Sequence, residues 1–226
     1  MASKLSCKQA RDLYVGLDEA GRGSCVGPLV VSLVATDEAG LRALAELGVR
    51  DSKKLTPSRR LEMFPEILLR STYVAVRAVQ PQVIDSHNVS HLTAKAMCSL
   101  TASLAKRYSI KRVVADYVNP PKRLQRLLRG LLRPEVEVLV VEDADDKYIE
   151  CMAASVVAKV VRDNEIAKLR DVYGVRGSGY PSDPETLEWL MSKASQGALP
   201  PCVRRSWRTI KRIPLGEGLD RWLGRS

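Results

Sequence analysis

Phenylalanine occurs once in this chain of 226 residues, and aromatic residues amount to 5%. Aliphatic side chains must therefore fill the core. Histidine occurs twice, as His87 and His91, and neither sits in a metal-ligand pattern, so neither is assigned to catalysis. The five cysteines (Cys7, Cys25, Cys98, Cys151 and Cys202) are scattered, odd in number and free of CxxC spacing. That argues against a zinc site and a disulfide framework, and leaves small core residues in a reducing compartment. No apolar run reaches the roughly 18 residues of a membrane-spanning helix, and no membrane partner is expected. The opening "MASKLSCKQARD" lacks the apolar centre of a signal peptide, so the expected location is the cytoplasm. There is no internal repeat and no low-complexity tract. Acids are in deficit: 26 Asp and Glu against 36 Lys and Arg give a formal net charge of +10 and a pI near 9.5. Such a surplus favours polyanions, nucleic acid before an anionic membrane surface, and by itself decides nothing.

Hydrophobic residues make up 45% of the chain, which is the composition of a globular protein. The length suits one domain with at most a small appendage. Strands are expected at 13–17, 27–36, 72–79, 111–118 and 135–143. Helices are expected over 37–48, from Thr56-Pro57 to about residue 71, and over 89–108, 120–132 and 148–174, with Gly174 as the last C-cap. A loop and a further helix follow over 177–194. Alternating strands and helices predict an α/β fold with a mixed sheet. The expected division is a catalytic domain over 1–175 and a C-terminal helical part with a tail over 176–226. The basic helix at 120–132 is read as facing water.

Chemistry concentrates at "DEAGRG", residues 18–23, where two adjacent acids follow a strand and two glycines bracket an arginine. Adjacent strand residues point to opposite faces, so Asp18 and Glu19 share a site only if the strand twists or ends there. Asp116 closes "KRVVA", and Asp143, Asp145 and Asp146 follow "VEVLVVE". Sites in α/β sheets gather at such strand ends. Converging carboxylates about 4 Å apart repel by roughly 1–4 kcal/mol per pair, a cost that a divalent cation removes. All-oxygen ligands select Mg²⁺ or Mn²⁺, and two such ions cleave phosphodiesters. Asp18, Glu19 and Asp116 are read as functional because acids ending apolar strands are costly otherwise. Asp143 and Asp146 are read as solvated loop acids or caps, and spacing leaves Asp145 between the two.

"GLDEAGRGSCVGPLVV" resembles the opening signature of type 2 ribonuclease H, ribonuclease HII. "DSKKL", "VVADYV" and "DADDKYIECMAASVVAKVVRD" follow in the family's order, and "GSGYPSDP" and "VRRSWRT" resemble its archaeal and eukaryotic branch. The resemblance implies a ribonuclease H-like fold with a mixed sheet flanked by helices and a C-terminal helical extension. It implies endonucleolytic cutting of RNA in RNA–DNA hybrids and of single ribonucleotides in duplex DNA, leaving 3′-hydroxyl and 5′-phosphate ends. It makes Asp18, Glu19, Asp116 and Asp145 the catalytic ligands of two Mg²⁺ or Mn²⁺ ions. It gives Gly21, Arg22 and Gly23 a loop that reads the ribose 2′-hydroxyl, with Tyr180 packed on the following sugar. It places Ser52 and Lys53 on phosphates, and Asn88, Ser90 and Thr93 near the DNA strand. Asp163 is a structural acid by the same reading, and Ala153, Ala154 and Ser155 serve close helix–sheet packing. The chain departs from the family in Ser24-Cys25 and in Asp143, which adds negative charge near the site.

"GEGLDRWL", residues 216–223, resembles a sliding-clamp-binding motif, with Gly216 and Leu223 departing from it. The other reading is a terminal turn lying on its own domain. A monomer is expected. Two rival functions remain at this point: another nuclease of the same fold, and a non-catalytic hybrid-binding protein.

Overall fold

The structure is a computed structural model, and it describes residues 12–48, 55–116, 120–197 and 199–213. Ser52, Lys53 and the segment 216–223 lie outside the described residues. Five strands form one sheet: β1 (Leu13–Ala20), β2 (Leu29–Thr36), β3 (Tyr73–Val79), β4 (Ile110–Asp116) and β5 (Glu137–Val141). Their spatial order is β3-β2-β1-β4-β5. β1, β2 and β3 pair antiparallel, whereas β4 and β5 run parallel to β1. All eight residues of β2 are buried, as its near-continuous apolar run requires of a strand covered on both faces. β3 closes one edge, and its Val76, Arg77 and Ala78 are exposed.

The long helix α7 (Ile149–Tyr173) crosses β1 and β2 on one face, joined there by α1 (Glu38–Glu46) and α2 (Pro57–Arg70). α4 (Val89–Ala105) and α5 (Pro121–Arg129) cover the other face. α7 can lie close because Gly16 of β1 has no side chain: a Cβ there would run into the Glu150 carbonyl. Ala153, Ala154 and Ser155 are fully buried against the sheet, and Ser32 of β2 donates its hydroxyl to the Ala154 carbonyl at 2.6 Å. The first turn of α7 is also pinned electrostatically. Arg112 of β4 reaches the buried Glu150 at 2.7 Å, between the rings of Tyr14 and Tyr148.

Local signals set the helix starts. Asp37, Thr56, Asn88 and Asp183 each cap a helix through a side-chain oxygen. α5 buries Leu124 and Leu128 and leaves Lys122, Arg123, Arg126 and Arg129 exposed, as the water-facing reading expects. Three short helices have no counterpart in the sequence reading: α3 (Pro81–Ser86), α6 (Ala144–Lys147) and α9 (Arg208–Lys211). None is long enough to show a period. β1 runs three residues past its expected end, because its pairing with β2 continues to Ala20↔Val30. α8 (Pro184–Ser195) and the segment around Cys202 and Val203 form a third cluster with Cys25, Val26 and Ile166.

Candidate active site

β1 answers how two adjacent acids share a site without ending the strand. Its pairing with β4 stops at Leu17↔Ala115, while its pairing with β2 goes on. From Asp18 onward, one side of β1 stands open where β4 departs with Asp116 at its tip. Asp18 is buried, and its Oδ1 accepts the N–H of Glu19 at 2.7 Å. Asp116 Oδ1 accepts the Ala144 N–H at 2.9 Å, which ties the tip of β4 to α6. Asp145, on α6, is buried and accepts from Ser155 Oγ at 3.4 Å, with Lys159 Nζ 3.9 Å away. Ser155 also lies close enough to Asp18 to draw its carboxyl back down. A residue read only as packing thus stands beside two of the four acids.

The acids lie near enough to feel one another's charge. Burial raises Asp18 well above the usual carboxylate range, and the charges of Glu19 and Asp116 push it further; the Ser155 hydrogen bond opposes them. Burial pushes Glu19 up to about 7, Arg22 pulls it back, and Asp116 and Asp145 push it up. Arg22 Nη1 lies 3.4 Å from Glu19 Oε1. Glu19 Oε2 is buried with no hydrogen-bond partner. An unsatisfied buried carboxylate oxygen costs about 1–3 kcal/mol or more. Asp143, Asp145 and Asp146 bring one oxygen each within 4.8 Å of one another, and Asp143 holds a left-handed backbone at φ 55°. Asp143 and Asp146, read from sequence as solvated, are indeed exposed but stand beside the buried Asp145.

A hard divalent cation fits this donor set. The groups are all oxygens, Glu19 Oε2 lacks a partner, and the buried carboxylates resist ionisation without a counter-charge.

The glycine loop lies beside the acids. Gly21 has φ +82°, and its N–H donates to the Tyr180 hydroxyl at 3.2 Å across 159 residues of sequence. Arg22 Nη2 donates to Ser90 Oγ at 2.8 Å, which joins the loop to the start of α4. Gly23 is exposed. Asn88 is exposed and spends its side-chain oxygen on the His91 N–H at 3.1 Å. Thr93, expected near the DNA strand, is fully buried and gives its hydroxyl to the Val89 carbonyl, so it does not face this groove. Asp163 pairs with Arg60 at 3.2 Å and Arg162 at 3.5 Å.

The family model for ribonuclease HII matches residues 15–210. The chain belongs to the ribonuclease HII family. It is 42% identical over 203 residues to ribonuclease HII of Aeropyrum pernix, covering 89% of this chain and 90% of that one. It is 42% identical over 204 residues to ribonuclease HII of Pyrococcus horikoshii, covering 88% and 91%. Among solved structures, ribonuclease H2 from Pyrococcus horikoshii OT3 superposes with a TM-score of 0.82 at 39% identity, over 93% of this chain and 99% of that one. A PCNA:RNase HII complex from Archaeoglobus fulgidus gives a TM-score of 0.78 at 35% identity, over 87% and 95%. As a ribonuclease HII, the chain is a hydrolase, an endonuclease of the ribonuclease H type, with the family's mixed sheet and C-terminal helices. Both rival functions are set aside. The ribonuclease HII family is metal-dependent and acts on RNA–DNA hybrids, and this chain carries an acidic cluster, Asp143, Asp145 and Asp146, in the turn and short helix after β5. No helix among the described residues is long and apolar enough to cross a membrane.

Proposed function

We propose that this ribonuclease HII cuts both RNA–DNA hybrids and single ribonucleotides within duplex DNA, leaving 3′-hydroxyl and 5′-phosphate ends. Asp18, Glu19, Asp116 and Asp145 would hold two Mg²⁺ or Mn²⁺ ions. Bound there, such ions supply activation of the attacking water and stabilisation of the leaving oxygen. The observation that carries this reading is Glu19 Oε2, buried among acids and without a partner. Ser155 and Lys159 orient Asp145, and the Ala144 N–H orients Asp116. Arg22 holds Glu19 from the loop side.

In the same reading, the loop Gly21–Gly23 and Tyr180 recognise the sugar. The 2′-hydroxyl is the group that separates RNA from DNA at one nucleotide. The Gly21 N–H and the Tyr180 hydroxyl, already in contact, offer a donor and a donor–acceptor at one point. Ser52 and Lys53 contact the backbone phosphates.

The test uses a DNA duplex with one ribonucleotide, incubated with Mg²⁺ or Mn²⁺, beside the Asp116→Asn variant. Incision 5′ to the ribonucleotide, lost in the variant while binding persists, is expected. Cutting of an all-RNA hybrid alone would overturn the sugar-reading assignment and keep the enzyme class.

We also propose that residues 216–223 bind a sliding clamp. The Archaeoglobus fulgidus relative is solved in a complex named for PCNA, and its chain is 35% identical to this one. Removing residues 216–226 should abolish clamp binding and leave incision intact. Undiminished clamp binding would sink the proposal.

A further inference from the structure

We propose that Arg204 is a positioning residue: together with Trp207, it holds the backbone of the 22–27 loop in the shape that reads the ribose. The inference rests on the reading of Gly21–Gly23 and Tyr180 as sugar contacts.

Arg204 is completely buried. Its Nε donates to the Gly27 carbonyl at 2.9 Å and its Nη1 to the Arg22 carbonyl at 3.2 Å. Its backbone N–H donates to the Cys25 carbonyl at 2.9 Å. The Trp207 ring lies 4.9 Å from the guanidinium, and its indole N–H points to the Gly23 carbonyl at 3.4 Å. One short segment therefore supplies donors to the carbonyls of Arg22, Gly23, Cys25 and Gly27. In return, the Gly27 N–H donates to the Cys202 carbonyl at 2.8 Å, and Val26 bridges to Val203. Residues 24–27 are buried, out of reach of bulk water, so their carbonyls need partners within the protein. The Arg22 and Gly27 carbonyls find them in the planar guanidinium fork, held beside the Trp207 ring.

A lesser role, in which Arg204 merely fastens the C-terminal segment, accounts poorly for its chemistry. A buried guanidinium is costly unless paired. Among the described residues, no carboxylate lies within ion-pair distance of this one, and its Nη2 has no hydrogen-bond partner. Burial and the nearby Arg162 push its pKa down to about 10, with Tyr180 and Asp85 opposing them. An apolar side chain would fasten the segment at lower cost. What an apolar side chain cannot do is aim two donors at chosen carbonyls on either side of Gly23.

The opposite wall of the loop is built alike. The Cys25 and Val26 N–H groups both donate to the Gly179 carbonyl, at 2.9 and 3.1 Å, next to Tyr180. The Arg162 guanidinium lies 4.5 Å from the Tyr180 ring. The loop and Tyr180 are thereby locked to each other, and Arg204 ties the loop to the 202–207 segment.

The experiment compares the full-length protein with Arg204→Lys, which keeps charge but loses the fork, and Trp207→Phe, which keeps the ring but loses the N–H. Affinity is measured in Ca²⁺ for two duplexes, all-DNA and the same duplex with one ribonucleotide. Turnover on the second duplex is measured in Mg²⁺, and melting temperature is recorded for each protein. Wild type should prefer the ribonucleotide duplex. Both variants should bind all-DNA duplex within about two-fold of wild type and lose most of that preference. Their kcat should fall about ten-fold for Arg204→Lys and a few-fold for Trp207→Phe, the scale of one misplaced hydrogen bond, with KM little changed. Variants that keep the wild-type preference would overturn the proposal. So would loss of affinity for both duplexes in step with a falling melting temperature, which marks a purely structural role. If wild type shows no preference, the sugar-reading assignment fails and this inference falls with it.

Discussion

Glu19 turns one oxygen to Arg22 and leaves the other buried without a partner. With Asp18 beside it, burial pushes both carboxyls above the ordinary range, Glu19 up to about 7. Groups raised in the folded state stabilise the fold below their unfolded pKa, and that contribution is lost as pH rises through the folded value. The metal-free protein should therefore melt at falling temperature as pH climbs from about 4.5 through about 7, the window set by the ordinary and folded values of Glu19. Saturating Mg²⁺ or Mn²⁺ should flatten the slope and raise the melting temperature most at the alkaline end, as calorimetry would record. A cation that leaves the curve unchanged would mean that these acids do not hold it. Tyr180 makes the second prediction at this scale. Tyr180→Phe removes the hydroxyl at the Gly21 N–H. Cutting at single ribonucleotides should slow by about ten-fold, the worth of roughly one hydrogen bond, with little change in melting temperature. Steady-state kinetics on the single-ribonucleotide duplex would check it.

At the scale of elements, the site depends on how closely α7 lies against the sheet. Gly16 permits that approach, since any Cβ would strike the backbone of Glu150. Gly16→Ala should cost about 3 kcal/mol or more and displace Ser155 from Asp18 and Asp145. Denaturant unfolding, together with loss of incision in the refolded fraction, would show both effects. Arg112→Met leaves Glu150 buried and unpaired, a loss of about 3–5 kcal/mol by the same measurement. The sequence made most of these elements legible. Caps at Thr56 and Gly174, the buried run of β2 and the acids at or near strand ends all act locally, within a few residues. It did not reveal that β1 runs on past Asp18, because that depends on β2 continuing after β4 has left. Nor did it reveal Ser155, Lys159, Arg162 or Arg204 as neighbours of the site. An arginine in a helix or a basic tail reads as solvated, and only the meeting of distant segments buries it. Thr93 shows the converse error, since motif position suggested a contact that helix burial forbids.

For the whole molecule, the net charge of +10 sets how binding responds to salt. Affinity for hybrid should fall linearly in log–log form as salt rises, with a slope near −0.9 per phosphate neutralised, or roughly a thousand-fold from 50 to 200 mM for six contacts. Anisotropy titrations over that range would give the count; a flat response would deny the phosphates a main role.

The hold on Arg22 and Gly23 by residues 204 and 207 spans 182 and 184 positions of sequence. It has a consequence in time. A ribosome delivers the loop well before its clasp, so the sheet's central strand and all four acids exist before the 22–27 loop is fixed. Contacts of such long range close slowly and late. A nascent chain should therefore hold its acids before this loop takes its final shape, and on the proposed reading of the loop its selectivity follows its acidic centre.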